Sequence, residues 1–92
     1  MRFRFSKVKS GALRRNPKRG IGFEEAQEVF ERPYYQDQRL DDPEQMRVIG
    51  WVGDRLFTVI CEFREDRQGE YCHLVTLWRS TREQKELYEA NS

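Results

Sequence analysis

Three apolar, β-branched and aromatic segments in the second half of the chain constrain the fold most strongly. They read MRVIGWVG, RLFTVICEF and EYCHLVTLWR, and the last covers residues 70 to 79. Gly53-Asp54 separates the first two segments and is a two-residue hairpin signal, while the polar run REDRQG separates the second from the third. Three consecutive strands joined by short turns predict an antiparallel meander.

The first half of the chain predicts one short strand and two helices. RFRF, at residues 2 to 5, alternates in the manner of a strand. Residues 6 to 15 predict a weak helix that ends at Asn16-Pro17. Residues 23 to 31 predict a second helix, because their apolar side chains recur on one helical face and glutamates occupy the first turn.

The remaining segments complete the predicted fold. Residues 34 to 45 are polar and predict a loop, with at most a short edge strand at its start. Ser80 and Glu83 form a capping-box pattern, which predicts a helix over residues 81 to 90. The result is one α+β domain over residues 1 to 92. It has an antiparallel sheet of three to five strands, two N-terminal helices and one C-terminal helix.

Composition excludes several classes of protein. No apolar run approaches the roughly 20 residues that span a bilayer, and MRFRFSKVKS lacks the apolar core of a signal peptide. We therefore expect a cytoplasmic protein without a membrane partner. Cys61 and Cys72 lie in strand-like runs and are expected to be buried, reduced thiols. Their spacing matches no zinc pattern and the chain has one histidine, so no metal or other cofactor is expected.

Charge is distributed unevenly along the chain. Residues 1 to 20 contain eight basic residues and no acidic one, whereas residues 21 to 70 contain thirteen acidic and six basic residues. This asymmetry is typical of a face that binds a polyanion, of an acidic patch for a partner, or of two segments that pack together and neutralise each other. The sequence leaves all three interpretations open.

Arginine, histidine and tryptophan side chains are the candidates for chemistry. Arg79 ends the last strand and Arg82 begins the last helix, and a guanidinium group matches the oxygens of a phosphate. His73 and Arg79 are both odd-numbered, so strict alternation would put them on one face of the strand. Trp78 and Trp51 could stack on unpaired bases. A structural role for His73 and core packing for each tryptophan are the alternatives.

This set of side chains fits one reaction, the cleavage of RNA through its own 2′-hydroxyl group. The reaction needs a base, an acid and cations that stabilise a pentacoordinate phosphorus, and it needs no metal. The sequence contains no G-x-S-x-G motif, no P-loop and no dinucleotide fingerprint. RNA or protein binding without catalysis is the alternative function.

Several segments of the chain resemble one family of bacterial toxins. GIGFEEAQEVFERP is similar to the G-V-x-F-E-E-A-x-x-V-F-x-D-P segment of BrnT-type toxins. RLFTVICEFRED resembles their G-R-L-L-x-V-V-x-x-E-R segment, and VTLWRSTREQKELYE resembles their I-S-A-R-x-A-T-R-x-E-R-x-x-Y-E ending. The resemblance covers approximately residues 18 to 89.

The resemblance implies a RelE-like ribonuclease toxin of a type II toxin–antitoxin system. Such a toxin cleaves RNA without a metal and so inhibits translation. A BrnA-like antitoxin with a ribbon-helix-helix end would neutralise it, and operator DNA would be bound only through the complex. A non-catalytic member that binds RNA or protein is the alternative.

The resemblance also suggests roles for individual residues. Arg79 and Arg82 match basic positions of the final motif and would hold and polarise the phosphate, whereas Trp78 stands where many members have another arginine. Arg19 occupies the histidine position of the family's K-H-G motif, so His73 is the candidate acid or base. The RNA-binding candidates are Lys18, Arg19, Arg15, Trp78 and Trp51.

Overall fold

The computed structural model describes all 92 residues and has the α+β architecture expected from the sequence. The elements, in chain order, are β1 (Arg2–Arg4), α1 (Lys7–Arg15), α2 (Phe23–Ala26), a 3₁₀ helix (Gln27–Phe30), β2 (Tyr35–Asp41), β3 (Glu44–Val52), β4 (Arg55–Asp66), β5 (Gly69–Arg79) and α3 (Arg82–Ala90). None of the helices has the length and apolar character needed to cross a membrane.

The five strands form one mixed sheet in the order β1-β5-β4-β3-β2. Strands β2 to β5 are an antiparallel meander, and β3 and β4 are joined at Gly53-Asp54 as predicted. The prediction of a wholly antiparallel sheet is wrong, because β1 pairs with β5 in parallel, with Phe3 opposite Cys72. The alternation in RFRF identifies a strand, but it contains no information on the direction of a partner that lies about seventy residues away in the sequence.

The prediction of a loop over residues 34 to 45 is also wrong. Residues Tyr35–Asp41 form β2, and β3 already begins at Glu44. Strand β2 lies at the edge of the sheet and most of its side chains are exposed, so its polar composition is that of a solvated edge strand. The same polarity made the segment indistinguishable from a loop in the sequence.

The helices differ from the predicted layout in two details. The predicted helix over residues 23 to 31 is α-helical for four residues and then tightens into the 3₁₀ helix. This tightened turn packs directly on β3, where a Cβ atom at Gly50 would lie 3.1 Å from the Val29 Cβ atom. Helix α1 follows the prediction, with the Ser6 hydroxyl accepting a hydrogen bond from the Lys9 N–H at 3.1 Å.

The capping box of α3 lies one residue later than predicted. Thr81 and Gln84 form it: the Gln84 N–H donates to the Thr81 hydroxyl at 3.2 Å, and the Thr81 N–H donates to Gln84 Oε1 at 2.9 Å. Ser80 still belongs to the end of the sheet, because its N–H donates to the Leu56 carbonyl at 3.0 Å and its hydroxyl is 2.9 Å from that of Thr58.

Helices cover both faces of the sheet. One face, here called the core face, packs against α1, α2 and the 3₁₀ helix. Its buried apolar residues are Leu13, Phe23, Ala26, Val29, Val48, Phe57, Val59, Cys61, Cys72, Leu74 and Leu77. Both cysteines are free thiols within this cluster, as expected. The opposite face, here called the α3 face, carries Thr58 and Trp78, which contact Gln84 of α3.

Candidate functional site

A β-bulge in β5 determines which of the candidate residues share a face. Ile60 of β4 pairs with Thr76, but its neighbour Cys61 pairs with Leu74, so Val75 has no partner. This extra residue reverses the alternation along the second half of the strand. Residues before and after the bulge with the same parity therefore point to opposite faces.

His73 and Arg79 consequently do not share a face, contrary to the expectation from strict alternation. His73 pairs with Glu62 on the α3 face, whereas Arg79 pairs with Phe57, a residue of the core face. Six residues of strand also separate them, a distance of roughly 16–20 Å at about 3.3 Å per residue. The structure places these two candidates in different parts of the molecule.

Arg79 lies at the end of β5, beside the turn that follows α1. Asn16 organises this turn, because its carbonyl accepts hydrogen bonds from the N–H groups of Arg19 at 2.9 Å and Gly20 at 2.8 Å. Gly20 has φ of 78°, a conformation that glycine adopts without strain. A Cβ atom at Gly20 would lie 3.5 Å from an amino group of Arg79, so the turn and the end of β5 are adjacent.

The side chain of Arg19 ties the same turn to the sheet. Its Nε–H donates to the Leu77 carbonyl at 3.1 Å, two residues before Arg79. The remaining guanidinium N–H groups of Arg19 make no protein hydrogen bond, and no acidic side chain pairs with Arg19, Lys18 or Arg79. The turn and the strand end therefore bring unpaired cations together, which is the charge that an approaching phosphate requires.

Only some of the basic residues in residues 1 to 20 form ion pairs with acidic residues of the chain. Arg14 bridges two glutamates of α2, with 2.8 Å to Glu24 and 3.0 Å to Glu25. Arg2 and Arg4 both pair with Asp66. The other five basic residues of the segment form no ion pair: Lys7, Lys9, Arg15, Lys18 and Arg19.

Arg79 also lines a cavity of about 240 Å³ between the end of the sheet and α3. The cavity is bounded by Trp51, Asp54, Arg55, Leu56, Arg79, Lys85, Tyr88 and Glu89. The rings of Trp51 and Tyr88 lie at right angles with their centroids 6.4 Å apart. The Tyr88 hydroxyl donates to the Pro33 carbonyl at 2.9 Å, which fixes the ring as a wall of the cavity.

The structure does not bring Arg82 or Arg15 to this site. The Arg82 side chain is 92% exposed in the first turn of α3, where it pairs with Glu86 at 3.4 Å. Arg15 lies back along its own helix, and a Cβ atom at Gly11 would meet its guanidinium nitrogen at 3.2 Å. Both cations are on the surface, and neither lines the cavity that contains Arg79.

His73 lies in a separate polar cluster on the α3 face. It is flanked across the sheet by Glu62 on one side and by Arg4 on the other. Burial lowers the pKa of the His73 imidazole, and the nearby Arg64 guanidinium lowers it further, against the smaller opposing effect of Glu62. Glu62 is itself buried, and a 2.7 Å hydrogen bond from Gln45 lowers the pKa of its carboxyl group.

The two tryptophans have different environments. The Trp78 indole N–H donates to Gln84 at 3.1 Å, and Arg39 lies over the Trp78 ring at 5.7 Å. Trp78 is therefore engaged in packing on the α3 face. Trp51 forms a wall of the cavity and has the Arg32 guanidinium 5.7 Å from its ring centroid.

Two of the residues that bound the cavity, Arg79 and Trp51, were candidates from the sequence, whereas the other six were not. Lys85, Tyr88 and Glu89 come from one face of α3, and Asp54 and Arg55 come from the β3–β4 turn. The i, i+3 and i+4 spacing of the three helical residues was a usable signal, because such residues lie side by side on a helix. The turn residues gave no signal beyond that of a hairpin.

No group of three or more histidine, cysteine, aspartate or glutamate side chains converges in a way that could hold a metal ion. Comparison with known proteins adds no identity to the geometry: no protein-family model matches the chain, and no curated protein matches its sequence.

Proposed function

We propose that this chain is an endoribonuclease that cleaves RNA through the 2′-hydroxyl group of its substrate and acts as the toxin of a type II toxin–antitoxin pair. One observation carries the proposal: Arg79 lies beside the Lys18–Gly20 turn with no acidic partner. The similarity of residues 18 to 89 to BrnT-type toxins supports it, since both of these segments lie within that similarity.

The chemistry follows from the position of Arg79. A guanidinium group that donates to two phosphate oxygens stabilises the negative charge that increases as the 2′-oxygen attacks phosphorus. Arg19 has free N–H groups beside it and would neutralise the flanking backbone. As the bond between the 2′-oxygen and phosphorus forms, the 2′-hydroxyl proton passes to solvent water. As the bond to the 5′-oxygen breaks, the Lys85 ammonium group, which lines the same cavity as Arg79, would give a proton to the departing oxygen.

The toxin proposal extends to fold type and partner. Helices packed on an antiparallel meander with a cationic strand end are compatible with a RelE-like arrangement. A BrnA-like antitoxin would then neutralise the activity by covering the cations around Arg79, and DNA would be reached through that antitoxin. Growth arrest on expression, relieved by co-expression of a neighbouring small gene, tests this part of the proposal.

The position of His73 favours a second candidate function. The chain has one histidine, and it lies six residues along β5 from Arg79, outside the cavity that Arg79 lines. A site that has cations but lacks a nearby imidazole can bind RNA without cutting it. The alternative is therefore a non-catalytic RNA-binding protein that uses the same surface.

One experiment separates the two functions. A long, unstructured RNA is incubated with the purified protein in excess EDTA, beside the Arg79→Ala variant and the matched variant Arg82→Ala. The ribonuclease proposal requires cutting that yields 2′,3′-cyclic phosphate ends, is lost in Arg79→Ala and persists in Arg82→Ala. Binding without cutting, both on free RNA and on ribosomes, would establish the alternative.

A further inference from the structure

We propose that the cavity between the end of the sheet and α3, which has Trp51 and Tyr88 among its walls, is a subsite for one unpaired guanine base of the RNA. This inference rests on the proposed function for its biological meaning, because it names the nucleotide that lies next to the phosphate on Arg79. A titration with nucleotides, which needs no cleavage, tests base binding in the cavity by itself.

The size and walls of the cavity suit a single base. Its volume of about 240 Å³ is below the roughly 300–1,000 Å³ of sites for drug-sized ligands, so it is suited to one planar group. The rings of Trp51 and Tyr88 are perpendicular, so a base that stacks on one ring meets the other edge-on. Both arrangements are favourable for aromatic groups.

The polar groups at the rim favour guanine over the other bases. The carboxylates of Asp54 and Glu89 form no ion pair and no side-chain hydrogen bond. Lys85, one helical turn before Glu89, forms no ion pair either. A carboxylate accepts two parallel hydrogen bonds, and guanine alone among the RNA bases has two adjacent donors, N1–H and the N2 amino group. The Arg55 guanidinium group, which also lines the cavity, can donate to the acceptors O6 and N7 of the same base.

The position of Arg79 connects the base site to the phosphate site. Arg79 lines the cavity and is also adjacent to Gly20 of the Lys18–Gly20 turn. A nucleotide whose base enters the cavity would therefore present its phosphate to Arg79 and Arg19. This arrangement would give the nuclease a preference for cutting beside guanosine.

The test is the fluorescence of Trp51 during titration with guanosine 3′-monophosphate. Trp78→Phe leaves Trp51 as the sole tryptophan, and the four 3′-monophosphates are compared in that background. We expect saturable quenching with guanosine 3′-monophosphate at about tenfold lower concentration than with the others, the scale of one bidentate pair with a base. Glu89→Gln should abolish the preference, and Glu86→Gln, on the same helix beside Arg82, should keep it.

Each other result overturns the inference. Quenching that is equal for the four nucleotides, or a preference that survives in Glu89→Gln, would exclude recognition of guanine by the Glu89 carboxylate. Absence of quenching in a folded protein would exclude the base site. The two proposals can fail separately: a protein that binds guanosine 3′-monophosphate but cuts no RNA would overturn the nuclease alone, and one that cuts RNA without base preference would overturn the subsite alone.

Discussion

At the scale of single residues, one buried hydroxyl group joins the first two helices. Ser10 of α1 is fully buried, and its hydroxyl accepts a 2.8 Å hydrogen bond from the Phe23 N–H at the start of α2. The same hydroxyl donates to the carboxylate of Glu24. Gly22 makes this contact possible, because any Cβ atom there would collide with Ser10.

Ser10→Ala should therefore destabilise the fold. The Phe23 N–H would lose its partner while it stays buried, and an unsatisfied buried donor costs about 1–3 kcal/mol. Urea unfolding at pH 7 measures the loss. Ser92→Ala is the matched control, since its hydroxyl is at the exposed C-terminus and its removal should change stability by less than about 0.5 kcal/mol. Equal midpoints for the two variants would show that Ser10 does not join the helices energetically.

His73→Ala tests whether the single histidine takes part in cleavage. A general acid or base contributes about 10²–10⁴-fold to a rate, so loss of a catalytic imidazole would reduce cleavage by that factor. Because His73 lies six residues along β5 from Arg79 and does not line its cavity, we expect His73→Ala to cut RNA at nearly the wild-type rate. Arg79→Ala should lose about 10²–10³-fold, as when a donor that stabilises a developing oxyanion is removed.

The cleavage rate of purified protein on a short, labelled RNA decides between these outcomes. Circular dichroism of each variant confirms that the fold is intact before the rates are compared. A loss in His73→Ala as large as that in Arg79→Ala would mean that RNA reaches both faces of β5, and the assignment of proton transfer to Lys85 would then be abandoned.

At the scale of elements, the regular parts of the fold could be predicted from the sequence and the irregular parts could not. The apolar runs of β3, β4 and β5 have the period of strands, and Ser6 and Asn16 mark the ends of α1 correctly. These features depend on local preferences and on burial of one face. They therefore appear in the sequence itself.

The bulge at Val75 is the feature that most altered the predicted site. Nothing in LVTLW indicates which residue is unpaired, because an unpaired residue in one strand is defined by the register of the neighbouring strand. An error of one residue in register reverses every later side chain. For this reason strict alternation placed His73 and Arg79 on one face of β5, whereas the structure places them on opposite faces.

Asp66 adds to the attachment of β1 to the sheet, because it pairs with both Arg2 and Arg4 beside the pairing of β1 with β5. The hydrogen bond from Arg2 holds the pKa of the Asp66 carboxyl at about 2, below the value of about 3.9 for an unfolded chain. A carboxyl whose pKa is lower in the folded state stabilises the protein above the unfolded pKa and loses that effect as the pH falls through the folded pKa.

Asp66→Asn should therefore be less stable than the wild type at pH 7, and the difference should shrink between about pH 4 and pH 2. Unfolding free energies from urea titrations at several pH values measure this gap. Asp54→Asn is the control, because Asp54 forms no ion pair and its replacement should change the unfolding free energy at pH 7 by less than about 0.5 kcal/mol. A gap between Asp66→Asn and the wild type that stays constant down to pH 2 would show that the carboxylate is not what attaches β1.

At the scale of the whole molecule, the fold sorts the basic residues into two groups. The basic residues of one group form ion pairs with acidic residues of the same chain, as Arg2, Arg4 and Arg14 do. The other group is left without acidic partners, and two of its members, Arg19 and Arg79, meet at one end of the sheet. A net charge of only +1 thus conceals a local concentration of unpaired cations.

This sorting predicts how RNA affinity responds to salt. Each phosphate contact on a single strand contributes about −0.7 to the slope of log K against log salt concentration. Contacts from Lys18, Arg19 and Arg79 would together give a slope of about −2. We expect Arg19→Ala and Arg79→Ala each to reduce its magnitude by about 0.7. Fluorescence anisotropy with a fully 2′-O-methylated oligonucleotide, which cannot be cleaved through its 2′ position, measures the slope.

Arg14→Ala is the matched control for that measurement, because it removes the same charge from the same basic segment. Its guanidinium group is already paired with Glu24 and Glu25, so it releases no counterions when RNA binds, and its loss should leave the slope unchanged. If Arg14→Ala reduced the magnitude of the slope as much as Arg79→Ala does, the basic N-terminal segment would attract RNA through its total charge. A selective effect at Arg19 and Arg79 would instead show that the fold creates the binding surface by leaving those particular cations unpaired.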